Sequence, residues 1–181
     1  KRELAFIRSE MIRQVLNGDG LHAYRAAAFG VVDRAELLEQ LREINRARPD
    51  LWESWSVLSA QAMDSGEREE AMRVAEEASR RFPLLPGAWR DLAVVRNHFS
   101  GPAAALEAAQ QGVDLNPGWG DGWRTLSALQ EDAGKIDDAI ASLRKASERL
   151  PLDVAVKISL ARLLWLAGQR DEAWNLVAGA A

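Results

Sequence analysis

Apolar residues recur at three- and four-residue intervals along most of the chain, and each such run predicts a helix with one buried face. Leu4, Ile7, Met11 and Val15 give an amphipathic helix of about four turns. Leu21 to Phe29 gives a shorter one. Asp33 and Glu36 have the spacing of a capping box, and they open a helix through Leu37, Leu38, Leu41 and Ile44 that ends near Pro49. No strand pattern is evident, so the chain is expected to be all-α.

Beyond residue 50 the pattern becomes periodic. Pro49, Pro83, Pro117 and Pro151 stand 34 residues apart three times running. Units starting at 52, 86, 120 and 154 then align further columns. Position 4 holds Trp55, Trp89 and Trp123; position 7 holds Leu58, Leu92, Leu126 and Leu160. Position 8 is always small, as Ser59, Ala93, Ser127 and Ala161, and position 20 holds Ala71, Ala105, Ala139 and Ala173. Positions 4, 7 and 8 share one face of a first helix, so the small residues there leave room for a close crossing against the alanines of a second.

The turn between the two helices is spelt Gly66-Glu67-Arg68-Glu69-Glu70-Ala71 and recurs from Gly134 and from Gly168. Glycine ends a helix in a left-handed conformation at little cost, and paired carboxylates suit the positive end of the next helix. One unit spells it Ser100-Gly101-Pro102 instead, with serine placed to cap and proline suited to an early helical position. The prolines are expected to end each second helix.

Trp at 4, Leu at 7, a small residue at 8, Gly near 15, Ala at 20 and Pro at 32 resemble the tetratricopeptide repeat. The resemblance covers residues 50 to 181, and 18 to 49 through Pro49 alone. It implies a right-handed α-solenoid of stacked antiparallel helix pairs. In that frame residues 1–17 form a capping helix and 18–49 a degenerate first pair. Residues 50–83, 84–117 and 118–151 form full units, and 152–181 a last, truncated one. The family's aromatic at position 11 is replaced by Ala62, Arg96, Gln130 and Leu164, and position 24 holds only Ala75, Ala109, Leu143 and Val177. Trp52, Trp119, Trp165 and Trp174 are candidates for the missing packing volume.

Composition narrows the function. The 181 residues are 48% hydrophobic and 28% charged, an ordinary globular balance, with 23 basic against 27 acidic side chains and a net charge of −4. No basic run suits nucleic acid, and no apolar stretch suits a membrane span, so the chain reads as soluble with neither as partner. Cysteine is absent, which fits cytoplasm and periplasm alike and excludes thiolate chemistry. The chain opens on Lys1 and closes inside a predicted helix, as an excised piece of a larger protein would.

Candidate chemistry is sparse. His22 and His98 lie 76 positions apart without ligand-spaced partners, so no metal site is expected. Asn17-Gly18-Asp19-Gly20 lacks the later oxygens of a calcium loop and the lysine of a phosphate loop, and reads as a tight turn. Trp119-Gly120-Asp121-Gly122-Trp123 sits at a junction between units and is likewise a turn. No serine or threonine has a histidine and an acid at triad positions. Neither catalysis nor a cofactor is expected of this segment.

The resemblance instead implies a partner, protein or peptide, along the concave face, lined by positions 2, 5, 9, 12 and 13 of the first helices. Those columns bring up Met63, Arg90, Asn97, Arg124, Arg162 and Trp165. Arginine forks suit carboxylates, so a peptide of acidic character is expected, with Trp165 and Met63 giving apolar contact. Against this, the arginines can pair with Asp91, Asp121 or Glu131 and merely keep the surface soluble. Two other function classes are an accessory domain of a larger enzyme, as in family members fused to glycosyltransferases, sulfotransferases or peptidases, and self-association. For the last, Leu163, Leu164, Trp174 and Val177 offer an uncovered apolar end.

Overall fold

A computed structural model describes residues 2–13 and 19–178. Val15 of the first predicted helix and the turn residues Asn17 and Gly18 lie outside them. The described residues form eleven α-helices and no strand. The first five are α1 (Arg2–Arg13), α2 (Asp19–Ala28), α3 (Arg34–Ala47), α4 (Trp52–Asp64) and α5 (Arg68–Arg81). Then follow α6 (Pro86–Ser100), α7 (Pro102–Leu115), α8 (Gly120–Asp132), α9 (Ile136–Arg149), α10 (Val154–Leu166) and α11 (Arg170–Ala178). They gather into two compact units, Lys1–Val95 and Arg96–Ala181, with the boundary inside α6.

In the first unit α4 packs on α5, α3 on α4, and α1 and α2 against their neighbours. In the second, α8 packs on both α7 and α9, and α10 on α9 and α11. The columns read from sequence are the core of both. Leu58, Leu92, Leu126 and Leu160 are buried, as are the four alanines of position 20 and the four small residues of position 8. Ser127 shows why that position is small: its hydroxyl donates to the Ala139 carbonyl at 2.8 Å, so the crossing is close enough for a side chain to bond the facing backbone. Leu37, Leu38, Leu41 and Ile44 of α3 are buried as expected.

Two devices recur at the junctions. Gly66, Gly134 and Gly168 adopt φ of +77°, +75° and +82°, and the following N–H closes back on the helix, as from Glu67 to the Ala62 carbonyl at 2.9 Å. That is the left-handed helix stop the sequence predicts. At the other end, the indole N–H of Trp55 donates to the carbonyl of Pro49 at 3.0 Å, Trp89 to Pro83 at 2.8 Å, and Trp123 to Pro117 at 3.0 Å. Position 4 of one unit is thus tied to position 32 of the one before, each bond contributing about 1 kcal/mol. The periodic proline therefore ends a helix and also presents the carbonyl that the periodic tryptophan reads.

Other expectations are corrected. Asp33 Oδ1 caps α3 through Ala35 and Glu36, but Glu36 does not complete the box; its Oε1 accepts from Gln40 instead. Gly101, not Ser100, is the N-cap of α7, with φ of +84° and Pro102 in the first turn. Trp165 and Trp174 are exposed and fill no core volume, whereas Trp52 and Trp119 are half-buried. Both of the latter pack against glycine.

One interlock was not visible in the sequence. Arg42 of α3 grips Glu70 of α5 through Nε and Nη2, and Arg144 of α9 reaches Glu172 of α11 at 2.9 Å, the same 28-residue separation in both units. Glu70 is only 17% exposed, and its hydrogen bonds are the main reason the Arg42 pKa is raised. The acids that open α5 and α11 therefore do more than favour a helix end. They tie second helices of neighbouring pairs.

Candidate protein-interaction faces

In the first unit, α4, the early turns of α6, and α2 surround an open cavity of about 250 Å³. Helical spacing places Ser56, Ala60 and Met63 on one face of α4, and Arg90 and Val94 on one face of α6. Arg90 donates through Nε and Nη2 to Asp91 Oδ1 at 3.1 and 2.8 Å, and its guanidinium lies 5.8 Å from the Trp52 ring centroid. Asp91 Oδ2 is buried and accepts no hydrogen bond from the protein. His22 closes the rim from α2, its ring 6.3 Å from that of Trp52.

Two of the residues predicted from sequence, Met63 and Arg90, therefore line one cavity. Asp91 joins them as one of the arginine partners expected from sequence, and His22 joins them without a sequence signal. His22 precedes the clear repeats, and Asp91 stands at position 6, outside the columns of the expected groove.

In the second unit the exposed sides of α8 and α10 form a different surface. Arg124 donates to Asp121 on its own helix at 2.8 Å. Arg162 of α10 forks onto Glu131 of α8 at 2.7 and 2.6 Å, a bidentate pair joining the two first helices. Those hydrogen bonds hold the Glu131 carboxyl below the ordinary glutamate range and raise Arg162. Asn97, half-buried in the last turn of α6, takes part in neither pair. All three arginines thus carry a carboxylate of the chain itself.

Along α10 the exposed side is apolar. Val154, Ile158, Trp165 and Leu166 are 60, 59, 54 and 65% exposed and fall at i, i+4, i+11 and i+12 on one face, with Arg162 in the row. The Arg170 guanidinium sits 5.3 Å from the Trp165 ring centroid. Leu163 and Leu164, on the opposite side of the helix, are fully buried, which removes them from the uncovered apolar end expected from sequence. Trp174 and Val177 of α11 do remain exposed.

Among the described residues no group of three or more histidine, aspartate or glutamate side chains is placed to hold a metal ion. His98 is exposed and stands edge-on to Phe99. No helix of the described residues is long and apolar enough to cross a membrane.

A family model for the tetratricopeptide repeat matches residues 130–181, which hold the third turn, the α10 face and the last helix pair. Residues 130–181 carry the tetratricopeptide repeat. Solved structures agree over nearly the whole length. A crystal structure of MamA superposes with a TM-score of 0.71 at 20% identity, over 86% of this chain and 91% of that one. A thermophilic tetratricopeptide repeat protein of Thermus thermophilus gives 0.64 at 19% identity, over 91 and 90%. YrrB, described as a tetratricopeptide repeat protein with an unusual peptide-binding site, gives 0.63 at 15%, over 91 and 84%. At these identities the likeness establishes the fold. No curated protein matches the chain in sequence.

Proposed function

We propose that the chain is a protein-interaction scaffold that takes a partner segment against the exposed faces of its first helices. The observation that carries this is the apolar row on α10. Ile158, Trp165 and Leu166 stay in water at the positions where the tetratricopeptide family's ligands lie, although the same helix buries Leu160, Leu163 and Leu164 beneath them. YrrB, of the same fold, is described as having a peptide-binding site. The segment that fits this row alternates apolar and acidic residues. Its apolar side chains lie on Ile158, Trp165 and Leu166, and a carboxylate of the segment reaches Arg124.

The internal ion pairs do not forbid that exchange. Arg124 and Asp121 are both about half exposed, and such a pair is worth roughly 0–1 kcal/mol, so a ligand carboxylate can replace Asp121 at small cost. The Arg162–Glu131 fork is less exposed and is expected to stay in place, orienting the row.

Titration calorimetry with a short amidated peptide alternating leucine and aspartate tests the reading. Trp165→Ala should weaken binding about tenfold or more, as truncating an aromatic anchor does. Arg124→Ala should weaken it by a few fold, and added salt should weaken it further. Unchanged affinity in both variants sinks the proposal.

A second reading is favoured by Trp174 and Val177, exposed at 68 and 52% on α11: self-association through that helix. Light scattering over a concentration range should then show mass rising with concentration and Trp174→Ser abolishing the rise. A constant monomer mass removes this reading.

A further inference from the structure

The 34-residue frame extends into α1. Leu4, Ile7 and Arg8 stand 34 residues before Leu38, Leu41 and Arg42 of α3. Arg8, Arg42 and Arg144 thus share one position of the frame, and each reaches the second helix of the following pair. Arg42 grips Glu70, Arg144 reaches Glu172, and Arg8 Nη1 lies 3.6 Å from Glu43 Oε2 of α3. Helix α1 also packs on α2, as α9 packs on α10. By register, ion pair and packing, α1 stands where a second helix stands.

A second helix buries one stripe against its own first helix. In α9 that stripe includes Ala139, Ser142 and Leu143, all buried. It faces α8: the Ser127 hydroxyl donates to the Ala139 carbonyl, and the Ser142 hydroxyl donates to Gln130 Oε1, each at 2.8 Å. The same positions of α1 are Glu3, Phe6 and Ile7, at i, i+3 and i+4 on one face. All three are exposed, Phe6 at 67% and Ile7 at 40%. An apolar pair left in water on the face that α9 turns to a partner helix marks a seat for such a helix.

We infer that α1 is the second helix of a further repeat, and that its Glu3, Phe6 and Ile7 face receives an amphipathic helix of a partner protein in the place that α8 takes on α9. The side chains state what that helix carries. Glu3 replaces an alanine, so the residue opposite it, in the place of Ser127, is basic. Phe6 replaces a small serine, so the residue opposite it, in the place of Gln130, is small. The partner helix therefore sets a lysine or arginine three residues before an alanine or glycine, with a leucine just ahead, as Leu126 precedes Ser127. This face is separate from the α10 row, so either reading can fail without the other.

The probe is a peptide of the α8 sequence, Gly120–Asp132, carrying Ser127→Arg and Gln130→Ala. A side-chain link on its solvent face holds it helical, since so short a helix is marginal alone. Its control carries Ser127→Glu with the same Gln130→Ala. In a methyl-detected NMR titration of the full chain, the arginine peptide should shift the Ile7 methyl signals, and the glutamate peptide should bind at least about fivefold more weakly. Phe6→Ala should weaken the arginine peptide about tenfold, and Glu3→Lys should reverse the order of the two peptides. Both residues are exposed, so the variants keep the fold. No shift at Ile7, equal affinity of the two peptides, or indifference to Phe6→Ala overturns the proposal. A mass that rises with concentration in light scattering, and that Phe6→Ala returns to the monomer, would give the face to a second copy and overturns it too.

Discussion

Leu126→Ala is expected to destabilise the second unit by roughly 2–5 kcal/mol, the range for truncating a fully buried leucine. Leu126 is 1% exposed in the middle of α8, which packs on both α7 and α9. Removing its isobutyl group leaves a void lined from both sides. Collapse into the void is hindered because the small residues beside it, Ser127 and Ala139, already hold the two helices at bonding distance. Urea unfolding followed by far-ultraviolet circular dichroism should show an earlier transition. Leu152→Ala is the matched control: Leu152 is 91% exposed in a turn, and its loss should stay within about 0.5 kcal/mol. Equal effects of the two substitutions would mean that the repeat columns do not define the core.

Gly120→Val should have an effect of similar order, for the opposite reason. A Cβ at Gly120 would lie 2.5 Å from Leu150 Cγ and 3.1 Å from Arg149 Cβ, inside the contact between the start of α8 and the end of α9. Overpacking at such a place costs about 1–3 kcal/mol, and a branched side chain falls at the upper end. The neighbouring Gly118 meets only Asn116 Oδ1 at 3.4 Å, so Gly118→Ala should be nearly silent in the same unfolding experiment. Gly122 is constrained again, since its Cβ would lie 2.4 Å from the Trp119 ring. The Trp119-Gly120-Asp121-Gly122-Trp123 sequence is therefore a packing motif in which two glycines make room for Leu150 and Trp119, while Trp123 reaches Pro117. If Gly120→Val were tolerated without loss, that account of the motif would fail.

The elements legible in the sequence are those whose signal is local or periodic. Position 7 leucines and position 20 alanines repeat at 34 residues, as do the turn glycines Gly66, Gly134 and Gly168 at multiples of that interval, and each has one physical task that admits few residue types. The Trp–Pro bond was half legible: both columns were visible, but not that the indole donates to the proline carbonyl six residues earlier. What sequence does not mark is pairing between charged residues 28 positions apart, as in Arg42–Glu70 and Arg144–Glu172. Such pairs depend on which rotamer a long side chain takes over the next helix pair. The site followed the same division. Helical spacing brought Met63 and Arg90 to one cavity and placed Arg162 and Trp165 on one face of α10. The three arginines, however, read alike in sequence while their partners differ. Arg124 holds an exposed acid one turn away, Arg162 an acid on the neighbouring helix, and Arg90 an adjacent Asp91 whose second oxygen stays unpaired.

The α10 row is where the scaffold reading is most exposed to refutation. A nitrogen-detected NMR titration with the leucine–aspartate peptide should perturb the Trp165 indole and the backbone signals of Ile158 and Leu166 most strongly, leaving the Trp174 indole unmoved. Perturbation confined to Trp174, or the absence of any perturbation along α10 at saturating peptide, would contradict it.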